Sequence, residues 1–121
     1  IPEIHWDFLE NRCRPYYETE EYIFVHAGIS AHNAPSKEST ERLLWSSLSL
    51  AEAHCSGRTV ICGHTSQSSG NIADLDHTVC IDTGISKGGW LTCLMLPDWT
   101  YVQANRAGET RTGDLRGEDA R

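Results

Sequence analysis

The chain has 121 residues, 39% of them hydrophobic, with ten Lys and Arg against seventeen Asp and Glu and a formal charge of −7. That is enough for one domain or a piece of one and too little for a second independent domain. The acidic balance excludes a phosphate-backbone binder, which needs a basic face, and the longest apolar runs, 22–25 and 90–96, fall far short of the roughly 20 residues that span a bilayer.

At the amino end, residues 1–7 offer neither a basic n-region nor an apolar h-region, so no secretory signal is expected. With Ile1 in place of an initiator Met, something upstream is expected to have been removed. In residues 2–13, Ile4, Phe8 and Leu9 recur at near-helical spacing, with Pro2 suited to a first turn and Pro15 ending the pattern; this predicts a short amphipathic helix. Residues 22–26 are β-branched and aromatic and stop at Ala27-Gly28, which predicts a buried strand. Residues 30–39 read as a loop. Leu43, Leu44, Leu48 and Ala51 behind a Ser39 or Thr40 cap predict one or two helical pieces over 40–54, ended by Gly57.

Beyond Gly57 the period changes. Residues 59–62 and 78–81 form apolar strands running into Gly63-His64 and Asp82-Thr83-Gly84, and 90–96 with 100–103 form a hairpin turning at Pro97-Asp98. From Arg106 onward a single Leu and no periodic pattern predict a disordered tail over 106–121, leaving 1–105 as the folded portion. Arginines and acids balance in that tail, so the net charge belongs to the folded part. The five cysteines are odd in number and never form C-x-x-C, so neither a disulfide framework nor a thiolate zinc site is indicated. They read as reduced thiols, with Cys62, Cys80 and Cys93 inside apolar runs as small hydrophobes. Bottom-up, this is a mixed α and β chain with about five strands.

Three predicted strands end in short polar signatures: His26-Ala27-Gly28, Gly63-His64-Thr65 and Asp82-Thr83-Gly84. Ligands gather beyond the carboxyl ends of such strands, and neutral imidazole is the commonest metal ligand. His26 and His64 are therefore a candidate metal pair, although two histidines alone underfill a shell of about four ligands. His5, His32, His54 and His77 have no metal-ligand spacing and read as structural.

Two other motifs need weighing. His54-Cys55-Ser56-Gly57-Arg58 evokes the phosphate loop of cysteine-dependent phosphatases, but two residues between Cys and Arg cannot encircle a phosphate; a turn accounts for it better. Asp82-Thr83-Gly84 resembles the active turn of retroviral-type aspartic proteases, a remote alternative, because too little chain follows it to complete a lobe.

Taken in order, Phe24-Val25-His26-Ala27-Gly28-Ile29, Leu43-Leu44-Trp45, Thr59-Val60-Ile61-Cys62-Gly63-His64-Thr65 and Ile81-Asp82-Thr83-Gly84 followed by Gly88-Gly89-Trp90-Leu91 resemble the C-terminal half of a bacterial-type serine/threonine phosphoprotein phosphatase. That family lies within the calcineurin-like metallophosphoesterase superfamily. The resemblance covers residues 22–103 and implies the C-terminal part of an α/β sandwich, two sheets flanked by helices. It implies that His26 and His64 ligate one ion of a binuclear Mn, Fe or Zn centre, which this chain ligates only in part. Gly63, Thr65, Asp82 and Thr83 would support the site, and metal-activated water would hydrolyse phosphate esters, phosphoserine and phosphothreonine on proteins foremost.

The family motifs Asp-x-His, Gly-Asp-x-x-Asp-Arg-Gly and Gly-Asn-His-Glu do not occur here. The remaining ligands and the general-acid His are therefore expected upstream of Ile1, on a missing N-terminal half, and the isolated chain is expected to be inactive. Ser46-Ser47 stand where a phosphate-gripping Arg usually follows the Trp. The expected partners are a phosphoprotein or other phosphate ester and the missing half, with no nucleic acid or membrane, in the cytoplasm. A bis(5'-nucleosyl)-tetraphosphate hydrolase of the same superfamily and a non-catalytic binding remnant are the alternatives.

Overall fold

The structure, a computed structural model, describes residues 1–117. It is an α/β arrangement of two sheets and few, short helices. The first sheet has five strands: β1 (Tyr16–Glu18), β2 (Tyr22–Val25), β3 (Thr59–Cys62), β4 (Ala73–Asp74) and β5 (Thr78–Cys80), in the order β1-β2-β3-β5-β4. The central three run parallel, with Ile23 opposite Val60 and Cys62 opposite Cys80, and each edge strand is antiparallel to its neighbour. The second sheet is an antiparallel meander of β6 (Leu91–Met95), β7 (Thr100–Ala104) and β8 (Thr110–Asp114).

The parallel strands are built for burial. β3 and β5 carry unbroken apolar or small residues, the pattern of strands buried on both faces, and Val60, Ile61, Cys62, Val79 and Cys80 are buried. β2 alternates instead, placing Ile23 and Val25 in the core while Tyr22 and Phe24 line the opposite, partly open face. The core cluster joins Ile23, Val25, Ile29, Leu43, Val60, Cys62 and Cys80. Burying a side chain such as Leu43 contributes about 1.5–3 kcal/mol, and Leu43 comes from α2 (Thr40–Trp45). Ser39 caps α2 as its sequence position predicts, its side chain accepting from the Arg42 N–H at 3.2 Å.

Several expectations are corrected. The amphipathic helix over 2–13 is one turn, α1 (Glu3–Asp7), followed by a π-helical turn at Phe8–Arg12, and it buries nothing: Ile4, Trp6, Phe8 and Leu9 all stand exposed. The helical stretch over 40–54 stops at Trp45, followed by a 3-10 turn at Leu48–Leu50. Ser46 turns its hydroxyl onto the Arg42 carbonyl at 2.8 Å, and the Ser47 side chain accepts from the Ser49 N–H; both are local competitors of helical hydrogen bonding. Among the described residues eight strands replace about five, and Cys93 is exposed rather than packed.

The disordered tail is the largest correction. Residues 110–114 are a paired strand, and the folded part continues well past residue 105. The bonds that hold it are polar, which is why an apolar pattern is missing. Arg111 donates to Gln103 and to the Gly70 carbonyl, and its guanidinium lies 4.1 Å from the Trp90 ring centroid. Arg116 covers Trp99 at 4.1 Å and pairs with Asp74 at 3.2 Å. Residues 118–121 of that predicted tail lie outside the described residues. Among those described, no helix is long and apolar enough to cross a membrane.

Glu38 closes the loop between β2 and α2. Its carboxylate accepts the Ser30 N–H at 2.6 Å and the Ser39 N–H at 3.0 Å. Burial alone would raise its pKa, but the hydrogen bonds from Ser30, Ser39 and Asn33 outweigh that and hold it below the usual glutamate value. A depressed folded pKa means that the stabilisation is complete above the unfolded value and is lost as pH falls through the folded one. Glu38→Gln is expected to cost about 1 kcal/mol near neutrality. In paired thermal melts the gap between wild type and variant should stay level from neutral to mildly acidic pH and narrow below the ordinary glutamate value of 4.5.

Candidate metal centre

The parallel strands β2, β3 and β5 end along one edge of the sheet, and each runs directly into one of the three polar signatures. His26 follows β2, His64 stands two residues beyond β3, and Asp82 stands two residues beyond β5. The Gly63 N–H donates to the His26 carbonyl at 2.7 Å, which locks the first two ends together. Their imidazoles converge: His26 Nε2 lies 3.2 Å from His64 Nδ1, with the rings edge to face and centroids 5.1 Å apart. His26 is exposed and His64 half-buried.

His64 adopts a left-handed backbone, φ 66°, which costs a residue with a side chain roughly 1–2 kcal/mol. Neighbouring bonds hold it there. The Thr65 N–H donates to the Gly63 carbonyl at 2.7 Å, and Thr65 Oγ1 accepts from the Leu48 N–H at 2.9 Å. The Cys80 thiol faces the carbonyls of Gly63 and Thr65, at 3.6 and 3.3 Å. Trp45, at the end of α2, stands edge-on to His64 with centroids 5.7 Å apart, and its indole is 69% exposed. Gly28 lets α2 approach, since a methyl group there would meet Ser46 Oγ at 2.5 Å.

Asp82 binds the loop after His64 rather than the imidazoles. Its carboxylate accepts from Ser66 Oγ at 3.1 Å and from the Gly84 N–H at 3.2 Å, and its carbonyl accepts from the Gln67 N–H at 2.9 Å. Thr83 is buried and turned away from the pair, donating to the Trp90 carbonyl at 2.6 Å beside Thr92 Oγ1. Thus Gly63, His64 and Thr65 form one turn with His26 across from them, while Asp82 and Thr83 stand behind it and join that turn to the second sheet. Ser66, Cys80 and Trp45 also contact this turn, and no motif assigns them a role; their position depends on which strand ends lie side by side.

Two of the other histidines, His54 and His77, have local duties. His54 is buried, Nε2 donating to the Asn33 carbonyl at 2.7 Å and Nδ1 accepting from Ser56. His77 bonds the Thr78 hydroxyl at 2.8 Å. Arg58 pairs with Glu18 at 2.8 Å, and the Cys55-to-Arg58 stretch is an exposed turn with no phosphate-encircling loop.

The donor chemistry fits a divalent ion in part. Two imidazole nitrogens each about 2.0–2.1 Å from zinc stand about 3–3.4 Å apart over the usual ligand angles, and the observed separation is 3.2 Å. The pair supplies half a shell: among the described residues no group of three or more His, Cys, Asp or Glu is placed to hold an ion. Further ligands would have to come from outside them. No family model matches the chain, and no curated protein or solved structure matches it either.

Proposed function

We propose that this chain is the C-terminal part of a calcineurin-like metallophosphoesterase domain and contributes His26 and His64 as two ligands of a binuclear centre that hydrolyses phosphate esters. Phosphoserine and phosphothreonine on proteins are the substrates proposed. The observation that carries the reading is the convergence of His26 Nε2 and His64 Nδ1, 3.2 Å apart, at the carboxyl ends of adjacent parallel strands. Two divalent ions in such a centre polarise phosphoryl oxygens and lower the pKa of a bound water.

His26 and His64 would each present a ring nitrogen to one ion. The bond between the Gly63 amide and the His26 carbonyl fixes the spacing of the two strand ends, and Thr65 anchors the turn to the segment after α2. Asp82 orders the following loop through Ser66 and Gly84. The complementary half would supply the remaining ligands and the general acid.

The chain alone is expected to release no phosphate from a phosphoserine peptide. Joined in frame to an upstream segment carrying Asp-x-His, Gly-Asp-x-x-Asp-Arg-Gly and Gly-Asn-His-Glu, it should do so in manganese, and His64→Ala in the fused protein should abolish the release. A fused protein that binds manganese and hydrolyses neither phosphopeptide nor a generic aryl phosphate would sink the reading. Hydrolysis of a bis-nucleoside tetraphosphate in preference to the phosphopeptide would move it to the alternative substrate.

A further inference from the structure

Cys80 is fully buried on β5, directly opposite Cys62 of β3 in the parallel register. The two thiols differ in what they touch. Cys80 Sγ lies 3.3 Å from the Thr65 carbonyl and 3.6 Å from the Gly63 carbonyl, within reach for the larger sulfur atom. These carbonyls bracket His64. A single S–H shared between them spans the one left-handed residue of the turn, φ 66°. Cys62 is also buried, and its thiol meets Cys80 rather than the two carbonyls.

A buried Cys is ordinarily a small hydrophobe, and a Val or Ala would fill that role. Two carbonyl oxygens converging on Cys80 ask for more. Each already accepts one bond, the Gly63 carbonyl from the Thr65 N–H at 2.7 Å and the Thr65 carbonyl from Gln67 Nε2 at 2.8 Å, and the thiol is a second donor that ties both sides of the turn to β5. The left-handed conformation of His64 is also unfavourable by itself, so whatever satisfies the flanking carbonyls decides how firmly the imidazole is aimed at His26.

We propose that Cys80 is a positioning residue for His64: its thiol, bonded to the carbonyls on either side, holds the left-handed turn that aims His64 Nδ1 at His26 Nε2. The role rests on the metal-site reading for its purpose, and on the bonds alone for its geometry. Outer-shell partners of metal ligands typically control about 10–100-fold in metal affinity, and a shared thiol bond belongs at the lower end.

The test uses the whole chain and three variants: Cys80→Ala, which removes the donor; Cys80→Ser, which restores one; and Cys62→Ala, a buried neighbour whose thiol meets Cys80 but not the carbonyls of the turn. The readouts are the three-bond HN–Hα coupling and ring nitrogen shifts of His64 in metal-free protein, and the zinc dissociation constant by calorimetry. Cys80→Ala should move the His64 signals and weaken zinc about tenfold, with Cys80→Ser close to wild type and Cys62→Ala moving His64 clearly less than Cys80→Ala does. The proposal is overturned if Cys80→Ala leaves the His64 signals at their wild-type positions, or if Cys62→Ala shifts them as far. Wild-type protein that takes up no zinc, yet shows the Cys80-dependent shift, would remove the metal reading and leave the positioning role standing. Cys80→Ser keeps the test valid should the alanine variant fail to fold.

Discussion

His64→Ala is expected to eliminate zinc and manganese binding by this chain, with affinity falling at least about 100-fold. Loss of an outer-shell partner already costs about 10–100-fold, and His64 supplies one of the two donors, 3.2 Å apart, that converge among the described residues. His26→Ala should be as severe, and the double variant no worse than either, because a single imidazole does not hold an ion and the effects of two ligands in one shell are not additive. Calorimetric titration of the four proteins decides it. An isotherm left intact in either single variant would place the metal elsewhere and reduce the pair to a hydrogen-bonded structural contact. The fold should survive these substitutions, since His26 is exposed and His64 half-buried; unchanged thermal melts of the metal-free proteins are the control.

Gly89→Ala is expected to be strongly destabilising. A Cβ there would collide with the Thr83 carbonyl, and would stand 2.8 Å from the Gly84 carbonyl and 3.0 Å from its carbon. All three are backbone atoms, so no side-chain rotation relieves the clash. That backbone is tightly bonded: Gly89 N–H donates to the Gly84 carbonyl at 2.8 Å and Trp90 N–H to the Thr83 carbonyl at 3.0 Å. Forcing extra volume into packed structure costs about 1–3 kcal/mol, and a backbone clash belongs at the top of that range. A fall in melting temperature of about 12 °C follows for a chain of this size.

Gly108→Ala provides the comparison. It has open space but a φ of 83°, so only the left-handed penalty of roughly 1–2 kcal/mol applies. Equal losses at the two sites would show that the segment yields to the extra methyl group and that the crowding at Gly89 costs no more than a left-handed alanine.

The parts of the fold legible in the sequence are those whose stabilisation is apolar and local. The runs ending at Val25, Cys62 and Cys80 are β-branched or aromatic and stop at small or turn residues, so β2, β3 and β5 were readable, as was the Ser39 cap. The hairpin across Pro97-Asp98 was readable from its turn residues. With these came the placing of His26 and His64 at strand ends.

Illegible were the elements held by polar or long-range bonds. β8 reads Thr-Arg-Thr-Gly-Asp and is secured by Arg111 on Gln103, Gly70 and Trp90, partners that only the meander brings near. Gln103 is one of the most buried side chains in the described part, and no sequence periodicity announces a buried amide. β1 and β4 are short edges whose register comes from their neighbours. Within the site, Cys80 looked like one more small hydrophobe, because the carbonyls it meets belong to a different strand's turn.

Trp45 makes the site visible without any label. Its indole stands edge-on to His64, 5.7 Å between centroids and 87° between planes, while remaining 69% exposed. An excited indole loses emission to an electron-deficient neighbour, and an imidazole that takes a proton or a metal ion becomes one. Trp90 and Trp99 instead lie under guanidinium groups of the C-terminal segment, at 4.1 Å each. Fluorescence therefore carries two separable signals, one quenched as His64 changes state and one altered when the last strand detaches. Ligation and unfolding can be followed in the same cuvette.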